Sequence, residues 1–201
     1  MKLPALLWLG IALALYILIK CALIFTNRRW NGRHDIVYSP GEGGALICNQ
    51  AVRGSPVSRL RYGRKRMAWN GCEVIAVYNA MVLLRRQVSL SALVTRFQLC
   101  GAMVLLGYFG SMPAAMGTVL RRSRIPYTTV RSPAALQSPG LYIVSYWTGR
   151  RWRSHLHTVA LTYDGRRWTA YNTLPGVPDH RPPASYLRGG FIRGYALGPL
   201  R

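Results

Sequence analysis

With 201 residues, half of them apolar, the chain can build one domain with a core plus an appendage, and wholesale disorder is excluded. Lys and Arg number 27 against 5 Asp and Glu, a net charge of +22 that points to anionic surfaces such as phospholipid or cell-wall polymer. The 24 Arg are scattered from Arg28 to Arg201 without a single stripe, which argues against nucleic acid as partner and leaves compositional bias as the alternative source of the charge.

The first element is a predicted membrane helix. LPALLWLGIALALYILI, residues 3–19, is uncharged, and CALIF after Lys20 carries the apolar run to Phe25. That length crosses a bilayer if Lys20 snorkels to the interface. No Ala-x-Ala-like cleavage site follows before Arg28, so a single uncleaved anchor over residues 1–27 is expected. Lys2 precedes the span while Arg28, Arg29 and Arg33 follow it, which places the rest of the chain in the cytoplasm by the positive-inside rule.

Residues 28–58, rich in Gly, Pro, Ser and Asn, read as a linker and irregular lead-in with a short strand at GALIC. SRLRYG reads as a further strand. NGCEVIAVYNAMVLLRR predicts a helix from Gly71 to Arg86, with Asn70 as N-cap and Glu73 reaching back in a capping box. From Val74 to Leu84 every residue but Asn79 is apolar or Tyr, the mark of a buried helix too short to span. SLSALVTRFQ and SMPAAMGTVLRRS read as two more helices, the latter with Ser111 as N-cap and Pro113 in its first turn. The run 99–120 is uncharged and leaves a second span as an alternative, opposed by its four Gly, Ser111 and Pro113.

Strands follow: GLYIVSYW, SHLHTVALTY, RRWTAYN and GFIRGYAL, rich in β-branched and aromatic residues. Helices first and an antiparallel sheet after make the class α+β. Asp164-Gly165 predicts a two-residue type I′ hairpin. That register sets Tyr163 against Arg166, Leu161 against Trp168, Val159 against Ala170 and His157 against Asn172, all on one face. Directly opposed Cβ atoms lie roughly 4.5–5.5 Å apart, within reach of a His–Asn hydrogen bond that would hold one imidazole tautomer.

A cysteine opening a buried helix, then a histidine early in a strand, then an asparagine on the next strand resembles the papain-like cysteine peptidase superfamily. NGCEVIAVYNA followed by HTVALTYDGRRWTAYN is most similar to the branch of bacterial double-glycine, bacteriocin-processing peptidases, over roughly residues 59–197. The resemblance implies a papain-like domain over 59–201, Cys72 as nucleophile, His157 as acid/base and Asn172 as orienter. A thiol at a helix N-terminus beside an imidazole is placed to form a thiolate. The backbone N–H of Cys72 would be one oxyanion donor. Relatives place a glutamine about six residues before the cysteine; Arg66 stands there, Asn70 is the nearest amide side chain and Gln50 is further off.

The expected function is a membrane-anchored cysteine peptidase or amidase acting on a peptide or peptidoglycan-type substrate, with no metal and no cofactor. By the same analogy the domain is extracytoplasmic, opposite to the positive-inside reading. The alternatives are a degenerate papain-like domain that binds peptide or cell-wall material, and a basic surface-binding protein. Residue by residue, Cys72 also fits a small buried hydrophobe, and His157 with Asn172 a structural cross-strand pair. His155 and Asp179 are substitutes for His157 and Asn172, Asn79 reads as a buried amide supporting the helix, and Trp69 and Trp147 are candidate cleft walls. No CxxC or zinc-spaced Cys/His cluster is present, and Cys48 and Cys100 are either a disulfide or two buried thiols.

Overall fold

The structure, a computed structural model, describes residues 3–42, 46–149, 155–173, 177–187 and 190–198. It opens with α1 (Leu3–Gly32), long and apolar enough to cross a membrane, with a mean hydropathy of 2.3 over its most apolar window. Leu6, Leu9, Leu13, Ile17 and Phe25 are exposed along it. The helix does not end at residue 27, and the expected linker begins as helix through Gly32. The reason lies in two buried asparagines. Asn27 Nδ2 donates to the Gly63 carbonyl (2.8 Å) and to Gln98 Oε1 (3.2 Å). Asn31 donates to the Arg61 carbonyl and accepts from the Arg61 amide, both at 2.8 Å. Trp30 Nε1 donates to the Arg59 carbonyl, and the Arg61 guanidinium lies 4.4 Å above the Trp30 ring.

Next come β1 (Val37–Tyr38), α2 (Pro56–Arg59), β2 (Arg61–Tyr62), β3 (Lys65–Arg66) and α3 (Met67–Asn70). SRLRYG is thus split between a helical turn, capped by the Ser55 side chain, and a two-residue strand. Of the strand expected at GALIC, Gly44 and Ala45 lie outside the described residues and Leu46–Cys48 form none.

The buried helix is α4 (Cys72–Leu83), with every residue from Cys72 to Val82 out of solvent. After it come β4 (Val88–Ser89), α5 (Leu90–Leu99) and α6 (Met116–Arg122). Ser89 caps α5 by accepting from the Ala92 amide at 3.0 Å. The run 99–120 is broken among the end of α5, single turns at Leu105–Gly107 and Pro113–Ala115, and α6, so it forms no second spanning helix. Ser111 is not a cap; its hydroxyl lies 2.7 Å from that of buried Tyr62.

The sheet consists of β5 (Tyr127–Val130), β6 (Gly140–Thr148), β7 (His155–Tyr163), β8 (Trp168–Tyr171) and β9 (Phe191–Leu197), antiparallel in the order β5-β9-β6-β7-β8. Period-two alternation gives it two apolar faces. Leu141, Ile143, Tyr195 and Leu197 pack with α4, α5 and α6. Tyr142, Val144, Tyr146, Val159 and Leu161 pack on the other side with Leu136 and Leu187. The class is α+β, with an N-terminal apolar helix and antiparallel sheets.

The hairpin register departs from expectation by two residues: Tyr163 pairs with Trp168, Leu161 with Ala170, and Ala160 with Tyr171. Asp164 is the cause. Its Oδ1 accepts from the amides of both Arg166 (2.8 Å) and Arg167 (2.7 Å), closing a four-residue loop in place of the two-residue turn. An even shift keeps each side chain on its face, but Asn172 falls one residue beyond the last pair.

Candidate active site

At one end of the β6–β7 hairpin a cavity of about 490 Å³ opens to the surface. Cys72 and His157 line it together, as do Asn172, Gln50, His155 and Trp69. The three residues proposed for a triad therefore share one site, although the contacts between them differ from those expected.

Cys72 begins α4 behind Gly71, the N-cap, and is 7% exposed. Asn70 is not the cap; it closes the separate turn α3, and its Nδ2 donates to the carbonyls of Tyr62 and Gly107. The Gly107 partner explains why no local pattern foretold this: it lies 37 residues downstream. Asn70, the amide expected near an oxyanion, is not among the residues that line the cavity. Arg66 is the N-cap of α3 and exposed.

Glu73 makes no capping box. It is buried, and the Cys72 thiol donates to its Oε2 at 3.2 Å. Burial raises the Glu73 carboxyl to about 7. Burial, and then the Glu73 charge and hydrogen bond, hold the Cys72 thiol well above its ordinary value, while the Thr158 backbone acts in the opposite sense. Above about pH 7 Glu73 is ionised and keeps the proton on sulfur. Glu73→Gln removes that charge, so it is expected to speed alkylation of Cys72 by iodoacetamide at pH 8. Peptide mapping with Cys100 as internal reference reads the rate; an unchanged or slower rate at Cys72 would show that Glu73 does not control the thiol.

His157 pairs across the hairpin with Tyr146, whose ring meets it edge-on at 5.9 Å. Thr158 faces Ser145 on the α4 side. His157 Nε2 lies 2.7 Å from the Asn172 carbonyl oxygen, which can only accept. The proton is therefore on Nε2, and Nδ1 is the basic nitrogen. Burial holds the imidazole below its ordinary pKa; the Asn172 carbonyl works the other way and His155 adds to the lowering. Among the described residues the Cys72 thiol is bonded to Glu73 and not to His157.

Asn172 meets the ring through its backbone carbonyl, and its side chain has another partner. Its Oδ1 accepts from the Gln50 amide (3.0 Å) and its Nδ2 donates to Gln50 Oε1 (2.8 Å). The backbone of Asn172 is left-handed (φ 71°), a conformation asparagine tolerates better than most residues. Gln50 Nε2 donates one hydrogen to the Ala68 carbonyl at 3.3 Å, which leaves its second available at the cavity. Gln50 stands 122 residues from Asn172, which hid the pair from local sequence reading.

The other candidates separate cleanly. His155 is exposed and lines the cavity. Asp179 is bound to Arg181 (2.6 Å) and exchanges backbone hydrogen bonds with Ala170. Asn79 binds both the amide and the carbonyl of Ile47 at 2.9 Å, the supporting role expected of it. Trp69 walls the cavity and is 74% exposed, whereas Trp147 is not part of the lining. Cys48 and Cys100 are free thiols, Cys48 beside the Leu46 carbonyl and Cys100 beside Arg122, and no disulfide joins them.

No family model matches the chain, and no curated protein or solved structure matches it, so the chemistry of the site is argued from its own residues.

Proposed function

We propose that the chain is a membrane-anchored, papain-like cysteine peptidase or amidase that cleaves a peptide-type amide through a thioester. The observation that carries this is the shared cavity. The thiol at the start of a buried helix and a neutral imidazole with its far nitrogen fixed open onto the same space. Two buried hydroxyls in the lining, Thr173 Oγ1 and Tyr186 Oη, have no hydrogen-bond partner among the described residues and suit a polar substrate.

The chemistry begins with rotation of the thiol from Glu73 toward His157. Catalytic hydrogen bonds are commonly long before substrate binds. Nδ1 of His157 takes the thiol proton as sulfur bonds to the amide carbonyl carbon. The carbon–nitrogen bond then breaks and the imidazolium returns the proton to the leaving amine. Water, deprotonated by the same nitrogen, hydrolyses the thioester and restores the thiol. The Cys72 backbone N–H and Gln50 Nε2 are the candidate donors to the oxyanion.

One observation favours a second reading, a papain-like domain that binds peptide or cell-wall material without turnover: the thiol donates to buried Glu73 at 3.2 Å and not to an imidazole. The two readings part on a single experiment. The full chain in nanodiscs is incubated with a panel of peptide amides, and intact-mass spectrometry follows acyl adducts and amine release. A hydroxylamine-labile adduct on Cys72, absent in Cys72→Ala, is the expected result. Quenching of tryptophan emission by a peptide that yields neither adduct nor amine would overturn the enzyme reading in favour of binding.

A further inference from the structure

The uncharged run 99–120 has no place in the site chemistry, yet among the described residues outside α1 it holds more large exposed apolar side chains than any other segment. Phe109 is 70% exposed and Leu105 58%, and Tyr108, Met112 and Leu99 are exposed beside them. Scattered surface leucines need no explanation, but a contiguous apolar loop does.

The loop is held in a defined shape. Leu105 and Leu106 both adopt left-handed backbone, φ 42° and 56°, a conformation that costs non-glycine residues on the order of 1–3 kcal/mol each. The Leu106 carbonyl accepts from the Arg64 amide at 2.8 Å. A Cβ on Gly63 would lie 2.1 Å from the Leu106 carbonyl oxygen, and one on Gly107 2.6 Å from the Tyr62 carbonyl oxygen, so only glycines permit this approach. The strain turns Leu105 outward while Gly107 stays buried.

The position of the loop is the decisive feature. Gly63, which clasps Leu106, also accepts from Asn27, two residues past the apolar end of α1 at Phe25. Leu99 adjoins Gln98, the second partner of Asn27. The exposed loop therefore stands at the level where α1 leaves its apolar stretch. The Lys65 ammonium lies 4.7 Å from the Tyr108 ring at the loop itself, and at Leu99, where the run begins, a surface cavity of about 660 Å³ is lined by Arg28, Arg96 and Arg122. Apolar side chains flanked by cations match the interfacial layer of an anionic bilayer.

We propose that Leu105–Met112 is a second membrane-binding element, lying in the interface of an anionic phospholipid bilayer beside the exit of α1. The inference rests on the reading of α1 as a membrane anchor. The test places p-benzoylphenylalanine singly at Phe109, at Leu13 in α1, or at exposed Val177 in the full chain, reconstituted in nanodiscs of phosphatidylglycerol and phosphatidylcholine. After irradiation, mass spectrometry reads addition of one phospholipid. Adducts at positions 13 and 109 with none at 177 are expected. An adduct at 13 without one at 109 overturns the proposal and leaves the anchor standing. Absence at 13 overturns the anchor reading and this proposal with it. Equal yields at 109 and 177 overturn the proposal as non-specific capture.

Discussion

Replacing His157 with alanine is expected to lower amide cleavage by about 10²–10⁴-fold, the usual contribution of a positioned acid–base group. The ring has the tautomer the chemistry requires, because its Nε2 hydrogen is committed to the Asn172 carbonyl. Burial keeps it neutral near pH 7, so it is ready to accept the thiol proton. The variant of Asn172 is more discriminating. Since the backbone carbonyl holds the ring, Asn172→Gly keeps that bond, suits φ 71°, and loses only the Gln50 contacts. It is expected to retain far more activity than His157→Ala. Equal losses in kcat/KM would show instead that the amide side chain is the orienting group.

Replacing Asn79 with leucine is expected to cost about 2–6 kcal/mol of stability, from two buried backbone groups each losing its partner at about 1–3 kcal/mol. Among the described residues the amide and carbonyl of Ile47 have no partner other than Asn79. The effect reaches the site. Ile47 lies three residues before Gln50, so losing its clamp frees the segment that holds the Asn172 side chain. Denaturant titration reads the first loss. Proton exchange at the Gln50 amide, protected now by Asn172 Oδ1, reads the second, and a protected amide in Asn79→Leu would refute the link.

The α+β class and four of the five strands of the main sheet were legible because β-branched and aromatic residues crowd 140–171 and 190–197. The fifth strand, Tyr127–Val130, is only four residues long, follows a proline and, unlike the equally short Trp168–Tyr171, has no Asp-Gly turn beside it to mark it. The candidate site was legible as a set of residues and not as a set of bonds. Cys72 and His157 announce themselves by residue type and position. Asp164 altered the hairpin register by using a side chain where the sequence pattern suggested backbone alone. Glu73 fitted a capping box, but the extra turn α3 and Gly71 placed it against sulfur instead. Gln50 meets Asn172 only through tertiary folding, which no local spacing encodes.

The unbroken passage of α1 into the domain has a mechanical meaning. A disordered tether would let the cleft sample a hemisphere of solution. A helix latched by Asn27, Trp30 and Asn31 has no such freedom. Asn31 stands about 9 Å along the helix axis from Phe25, at 1.5 Å per residue. With α1 in a bilayer, the domain is carried at a constant altitude. In that setting it would search by sliding in two dimensions, and whatever enters the cleft would have to come to that layer.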